Sequence, residues 1–288
     1  MNRIKIKSYA KVNLTLEIVG VEGAYHLLDS LVASIDLFDL IDIKKRKDTQ
    51  NFVMMHGMNS ETIPLEQNNA KKAADAFCRE FGVNGVDITV YKNIPIGGGL
   101  GGSSADIVGV LNGMAKLYDI NDFDRLKRLA DSLGSDTGYM LTGGFARMQG
   151  RGERVQKLET DAKLYALLLC PSSSVSVGAC YRGYDELKRA YTNGETTEKC
   201  IQALMQQDVN AVGRYLTNAL FEPASRLCEG VKSAYLEAQG FSPLGVMMSG
   251  SGSCVFAIFE TRELCEWAKS RYKGEHQAYV VETIIPKW

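Results

Sequence analysis

The sequence predicts an α+β fold in two domains, residues 1–150 and 151–288, and three observations carry that reading. The first 45 residues alternate apolar and polar side chains in strand-like runs around a glycine turn, the pattern of a mixed, largely antiparallel sheet. In the middle of the chain a strand-like run passes through a glycine loop into a helix-like run. Near Gly150 the character changes, to a buried-type strand over Tyr165–Pro171 and a helix-rich stretch from Ala179 to about Gly240.

Ile4, Ile6, Val12, Leu14, Leu16 and Ile18 mark one face of the early ribbon, and Lys11, Asn13, Thr15 and Glu17 share the other. Lys11 and Asn13 therefore point the same way. Taken alone, that polar face reads as a solvated one. Residues 20–24 form a turn, Tyr25-His26 follow it, and residues 31–43 supply two more strand-like pieces. A lone histidine there is commonly structural. Asn69 to Phe81 has helical spacing at Ala70, Ala73, Ala74 and Phe77 and leads into a strand over Val86–Tyr91.

The stretch from Pro95 to Ser104 holds five glycines among the six residues 97–102. Such a run is neither helix nor strand interior, because each glycine raises the entropy cost of ordering and offers nothing to pack. Beyond it Val108, Leu111, Ala115 and Tyr118 recur at helical spacing, with Ser103 or Ser104 as the N-cap. Strand, glycine loop and helix start, in that order, make an anion site: bare N–H groups converge, and the helix dipole adds attraction. A merely flexible loop is the bland alternative. No Lys-Ser or Lys-Thr closes the glycines as in a Walker loop, and the dinucleotide spacing is also absent.

Asn121-Asp122-Phe123 starts a further helix that runs to Leu133 and stops at Gly134. Asp136, just beyond, suits an N-cap as well as it suits catalysis. From Leu244 to Phe259 a second glycine-serine loop enters a strand, and a tight hairpin would account for it.

Composition narrows the function classes. Of the 288 residues 45% are hydrophobic, enough for a sizeable core. With 33 basic and 34 acidic residues, nothing favours nucleic acid or an anionic membrane, and the dense basic run Lys44–Lys47 reads as a solvated hairpin tip. Seven scattered cysteines without a CxxC point to reduced thiols and a cytoplasmic location, and three dispersed histidines argue against a zinc site. The N-terminus has no signal-like apolar core, and no 20-residue apolar run occurs.

With these pieces in order, the chain resembles the GHMP small-molecule kinases. The matching residues are Ala10-Lys11-Val12-Asn13-Leu14, Tyr25-His26, the loop from Pro95 to Ser104, Gly134-Ser135-Asp136, and Met248-Ser249-Gly250-Ser251-Gly252. The resemblance implies a sheet-and-helix N-terminal domain, an α/β C-terminal domain and an active site in the cleft between them. It implies ATP and Mg²⁺ as cofactors. The branch resembled most acts on a cytidine diphosphate-linked alcohol of the non-mevalonate route to isoprenoid precursors.

By the same resemblance, Asp136 is the general base and Lys11 its partner, and Asn13 orients substrate or base. Pro95, Gly97, Gly98, Gly99, Leu100, Gly101, Gly102, Ser103 and Ser104 hold the ATP phosphates, with the serine hydroxyls in reach of phosphate or Mg²⁺. His26 hydrogen-bonds a cytosine edge while Tyr25 or Tyr181 stacks on its face, although Tyr181 reads equally well as a core tyrosine. Ser249, Gly250, Ser251 and Gly252 border the site. Three departures stand out: one glycine fewer before the paired serines, Ala24 where glycine is usual, and Gly138 where proline is. Two alternatives remain, a GHMP kinase for another small alcohol or sugar, and a non-catalytic homologue that binds a ligand or partner. The oligomeric state is left open.

Overall fold

One long ribbon organises the first half of the chain. In the computed structural model, which describes residues 1–58 and 60–287, β1 (Arg3–Asn13) and β2 (Thr15–Glu22) run end to end along one edge of β3 (Tyr25–Lys45). Gly23, at φ +60°, turns the ribbon. Register shifts at Tyr9/Lys11 and Ile18/Gly20 interrupt the pairing, as bulges that bend a strand do. The two strand-like pieces expected over residues 31–43 are thus parts of a single strand.

The other edge of β3 is shared by β5 (Val86–Tyr91) and β6 (Phe145–Gly150). β4 (Phe52–His56) lies parallel to β5, β7 (Arg154–Leu158) pairs with β6, and β9 (Thr217–Asn218) pairs in parallel with β2. The result is a mixed eight-stranded sheet. Because β5 inserts between β3 and β4, the basic run after β3 starts a crossover and not a hairpin tip, and Arg46 there pairs with Asp48 and Asp87.

Helix α1 (Asn69–Phe81) starts at Asn68, whose side chain accepts from the Lys71 amide, and ends at Gly82 in the left-handed conformation. Helix α2 (Gly102–Tyr118) is buried along most of its length, against β1, β3 and α1. Its start differs from expectation. Gly101, at φ +72°, is the N-cap and makes no side-chain cap bond, so Ser103 and Ser104 fall within the first turn. Helices α3 (Phe123–Leu133) and α4 (Thr137–Met140) complete this layer.

A second, four-stranded sheet is built from β8 (Tyr165–Cys170), β10 (Gly245–Met248), β11 (Val255–Phe259) and β12 (Gln277–Glu282), in the order β10-β11-β8-β12 with every pairing antiparallel. Five helices lie between β8 and β10: α5 (Val177–Glu186), α6 (Glu195–Met205), α7 (Val209–Arg214), α8 (Phe221–Leu227) and α9 (Glu229–Gln239). A last helix, α10 (Arg262–Arg271), packs with α9 against this sheet.

Strand alternation divides the core. Leu168, Phe256 and Ile258 join a hydrophobic cluster that reaches back to Ile6 in the first sheet, whereas Leu167, Leu169, Val255 and Ala257 pack among α9 and α10. Both faces of β8 are therefore covered, which explains its unbroken apolar run. The polar face of the ribbon is buried as well. Thr15 bonds the Leu31 amide and the Thr197 hydroxyl, and Glu17 accepts from the Thr197 amide, so α6 covers what sequence alone left to solvent.

Helix α2 approaches the ribbon through Gly109, where an added Cβ would stand 2.3 Å from Ile41 Cδ1 and 2.8 Å from Ser8 Cβ. Gly109→Leu is expected to destabilise the fold by roughly 1–3 kcal/mol through overpacking, read as a lower midpoint in thermal or urea unfolding.

Candidate active site

The glycine loop folds with its carbonyls turned into the protein. Gly97 O accepts from Ser253 N (3.2 Å), Gly98 O from Cys254 N (3.0 Å), Gly99 O from Ser249 Oγ (3.0 Å) and Leu100 O from Lys11 N (3.0 Å). Gly97, Gly99 and Gly101 sit at φ +71°, +75° and +72°, a conformation that glycine adopts without strain. The second glycine-serine loop forms the β10–β11 hairpin and at the same time braces the first. Among the described residues, no protein group accepts a hydrogen bond from the amides of Gly97, Gly99, Leu100 and Gly101. The N–H groups are left for an anion, at the start of a buried helix.

Lys11 and Asn13 reach this cradle from the polar face of β1. Lys11 Nζ lies 2.5 Å from Asn13 Oδ1 and 3.4 Å from Asp136 Oδ2. Asn13 Nδ2 donates to Ser30 Oγ (2.8 Å), which donates to Thr15 O (2.5 Å), so the orientation of the Asn13 amide is set by a buried chain of bonds. Asp136 starts α4 yet makes no side-chain cap bond, and its carboxylate is free to face Lys11 and the cavity.

At the far end, His26 Nε2 is 2.7 Å from Asp185 Oδ1, and its ring stacks on Tyr181 at 4.9 Å and 27°. Tyr184 meets the same ring edge-on at 6.0 Å. Burial pushes the Tyr181 phenol upward, so it stays a neutral donor. Tyr25 is exposed and lies under the Arg151 guanidinium, 4.3 Å from its ring centre.

A buried ion cluster ties the two ends of the glycine loop together. Lys92, after β5, lies 2.5 Å from Asp39 Oδ2 on β3 and 2.8 Å from Asp106 Oδ2 on α2. Asp39 Oδ1 also accepts from the amides of Asn93 and Ile94. Burial alone would lower Lys92, but the two carboxylates outweigh it and hold the ammonium charged. Asp106 Oδ1 makes no hydrogen bond among the described residues, and burial, with Asp39 nearby, pushes this carboxyl up to about 7 against the pull of Lys92.

Lys11, Asn13, Asp136, the glycine loop, Lys92, Asp106, Tyr25, His26, Tyr181 and Asp185 surround one cavity of about 950 Å³. Every residue expected at the site lines it except Ser249, which lies fully buried behind the wall and joins Gly99 O to the Asn13 amide (3.2 Å). Its hydroxyl is consumed by those two backbone groups and does not meet a ligand. Sequence reasoning missed Asp185, although it stands one helical turn beyond Tyr181. It also missed Asn218, whose amide holds the carbonyls of Met248 and Gly250, and the Lys92 cluster, whose members are brought together only by the fold.

Two outcomes follow from this geometry. A Cβ on Gly99 would stand 2.0 Å from the Ser249 carbonyl oxygen, so Gly99→Ala should abolish nucleotide binding in calorimetry while circular dichroism stays native. Asp106 holds its proton more tightly folded than unfolded, so its contribution to stability is complete below about pH 4 and is lost as pH rises toward 7. Asp106→Asn should remove that slope. Melting curves should show the wild type losing ground to the variant between pH 4 and 7, and parallel curves would contradict the assignment.

Comparison with known proteins agrees with the architecture. The family model for the GHMP kinases N terminal domain matches residues 68–146, and that for the GHMP kinases C terminal matches residues 200–272. The 4-diphosphocytidyl-2-C-methyl-D-erythritol kinase of Clostridium beijerinckii is 34% identical over 289 residues, covering 98% of this chain and 100% of that protein. That of Clostridium tetani is 32% identical over 287 residues, with coverage of 98% and 100%. A crystal structure of 4-(cytidine 5'-diphospho)-2C-methyl-D-erythritol kinase superposes with a TM-score of 0.81 at 28% identity, over 97% of this chain and 99% of that one. A homoserine kinase from Cytophaga hutchinsonii, at 18% identity and a TM-score of 0.76, shares the fold. The chain belongs to the GHMP kinases, in the 4-diphosphocytidyl-2-C-methyl-D-erythritol kinase family.

Proposed function

We propose that this protein transfers the γ-phosphate of ATP to a hydroxyl of 4-diphosphocytidyl-2-C-methyl-D-erythritol, as a cytoplasmic enzyme of the non-mevalonate route to isoprenoid precursors. The observation that carries the reading is the Lys11–Asp136 pair, 3.4 Å apart at the edge of a loop whose carbonyls at residues 97–100 are turned away. Phosphoryl transfer asks for positioning and charge neutralisation more than for covalent help. Asp136 takes the proton of the acceptor hydroxyl as its oxygen attacks the γ-phosphorus; the bond to the bridging oxygen breaks and ADP leaves. Lys11 faces the Asp136 carboxylate and offsets the charge that develops on the transferring group. Asn13 fixes the direction of the Lys11 ammonium.

The N–H groups of Gly97 to Ser104 hold the nucleotide phosphates, and Pro95 and Leu100 set the two sides of that loop. Mg²⁺ takes hard oxygen ligands, only one or two of them from protein when phosphates are present. The hydroxyls of Ser103 and Ser104, which line the cavity, are of that type and would hold it, and the ion would neutralise phosphate charge. At the other end Tyr25, His26 and Tyr181 receive the cytidine, and Gly250, Ser251 and Gly252 close the wall between the two ligands.

The test is ADP release from the purified protein with ATP, Mg²⁺ and the diphosphocytidyl alcohol. Turnover that requires the cytidine moiety is expected. Equal turnover of nucleotide-free alcohols would reassign the acceptor, and no turnover with any acceptor would make the protein a non-catalytic homologue. Asp136→Asn should lower kcat by about 10²–10⁴ with an unchanged melting temperature. Lys11→Met should cut kcat by about 10²–10³, and a loss of folding there instead would make Lys11 structural.

A further inference from the structure

We propose that Asp185 is a positioning residue that makes the acceptor end of the cavity selective for cytosine over uracil, by fixing which nitrogen of His26 carries the ring proton. The inference rests on the reading that a cytidine diphosphate-linked alcohol binds here. Asp185 Oδ1 lies 2.7 Å from His26 Nε2. A carboxylate accepts and does not donate, so the hydrogen between them belongs to Nε2. In a neutral imidazole Nδ1 is then a bare acceptor. Nδ1 makes no hydrogen bond to protein among the described residues, and it is not sealed from the cavity that His26 lines.

The ring is held against swinging. Tyr181 stacks on one face at 4.9 Å, and Tyr184 stands perpendicular to it at 6.0 Å. Tyr181 and Asp185 are four residues apart on α5, so one helix face supplies both the stack and the carboxylate. A pyrimidine edge that donates suits an accepting Nδ1, and the 4-amino group of cytosine is such an edge. Uracil has a carbonyl oxygen at that place, which would set lone pair against lone pair.

A neutral ring could accommodate uracil only if its proton moved to Nδ1. That shift would leave the Nε2 lone pair facing the Asp185 carboxylate, and the carboxylate opposes it. Asparagine at 185 removes the opposition, because its amide can turn either its oxygen or its NH₂ toward Nε2. Asp185 is half exposed and its carboxylate makes no other hydrogen bond or ion pair among the described residues, so the exchange leaves the packing of α5 in place.

The experiment is calorimetric binding of CDP and UDP to the full chain, wild type and Asp185→Asn, with turnover of the diphosphocytidyl alcohol measured on the wild type. An unmade hydrogen bond at a dry site corresponds to roughly a 5- to 150-fold change in affinity, so the wild type should bind CDP at least about tenfold more tightly than UDP. In Asp185→Asn the ratio should fall to within about threefold, mainly through tighter UDP binding. A loss of helix packing would weaken both nucleotides together and leave the ratio unmoved. A wild type that turns over the acceptor but shows no CDP preference, or an Asp185→Asn variant that keeps the wild-type ratio, overturns the role of Asp185 alone. A wild type that neither turns over the acceptor nor binds CDP overturns the functional reading and this inference with it.

Discussion

The candidate site depends on the satisfaction of four consecutive carbonyls. A glycine-rich segment has little reason to hold one shape, since each residue has access to both signs of φ and no side chain to anchor it. Here Gly97, Gly98, Gly99 and Leu100 each give their oxygen to a partner from another part of the chain, either β1 or the loop before β11. Once those oxygens are committed, the planarity of the peptide units leaves the N–H groups on the opposite side. The proposed anion cradle is therefore a by-product of where the carbonyls go. Leu100, buried among core side chains, and the Lys92–Asp39–Asp106 cluster hold the segment from beneath and at its ends.

The same arrangement makes the two halves of the chain interdependent. One face of the second sheet packs on the first half and the other on its own helices, and residues 283 and 284 return to bond with Ile35 and Ser34. Lys11 comes from the first strand, Asp136 from a short helix after α3, and Asp185 from α5. Charged and polar groups so far apart in sequence can be held at hydrogen-bond distances only because the shared core fixes the elements that bear them.

Local chemistry made a good part of this legible. The 2.0-residue period of a strand put Lys11 and Asn13 on one face, and Asn68, Gly82, Asp122 and Gly134 mark helix ends that sequence rules recognise. The strand, loop and helix order around residues 86–118 is likewise a local pattern. Burial of the polar face of β1 and β2 was not legible, because α6 covers it from about 180 residues away. The serines after the glycines have the composition of a cap, but a left-handed glycine starts the helix before them, and the Ser103 hydroxyl accepts from the Asn69 side chain instead. Ser249 has the look of a ligand contact, yet its hydroxyl is spent on two backbone groups whose positions no local rule predicts.

The brace on the glycine loop has a consequence for synthesis. Three of the four committed carbonyls wait for Ser249, Ser253 and Cys254, and the edge of β3 at Ser34 waits for Ile284. A ribosome delivers residues 95–104 long before any of these. Until then three of the loop's carbonyls lack the partners that hold them, and the ribbon keeps an open flank. The loop can therefore take its braced form only after residue 254 has been made, and a chain released earlier carries Lys11 and Asp136 without that brace.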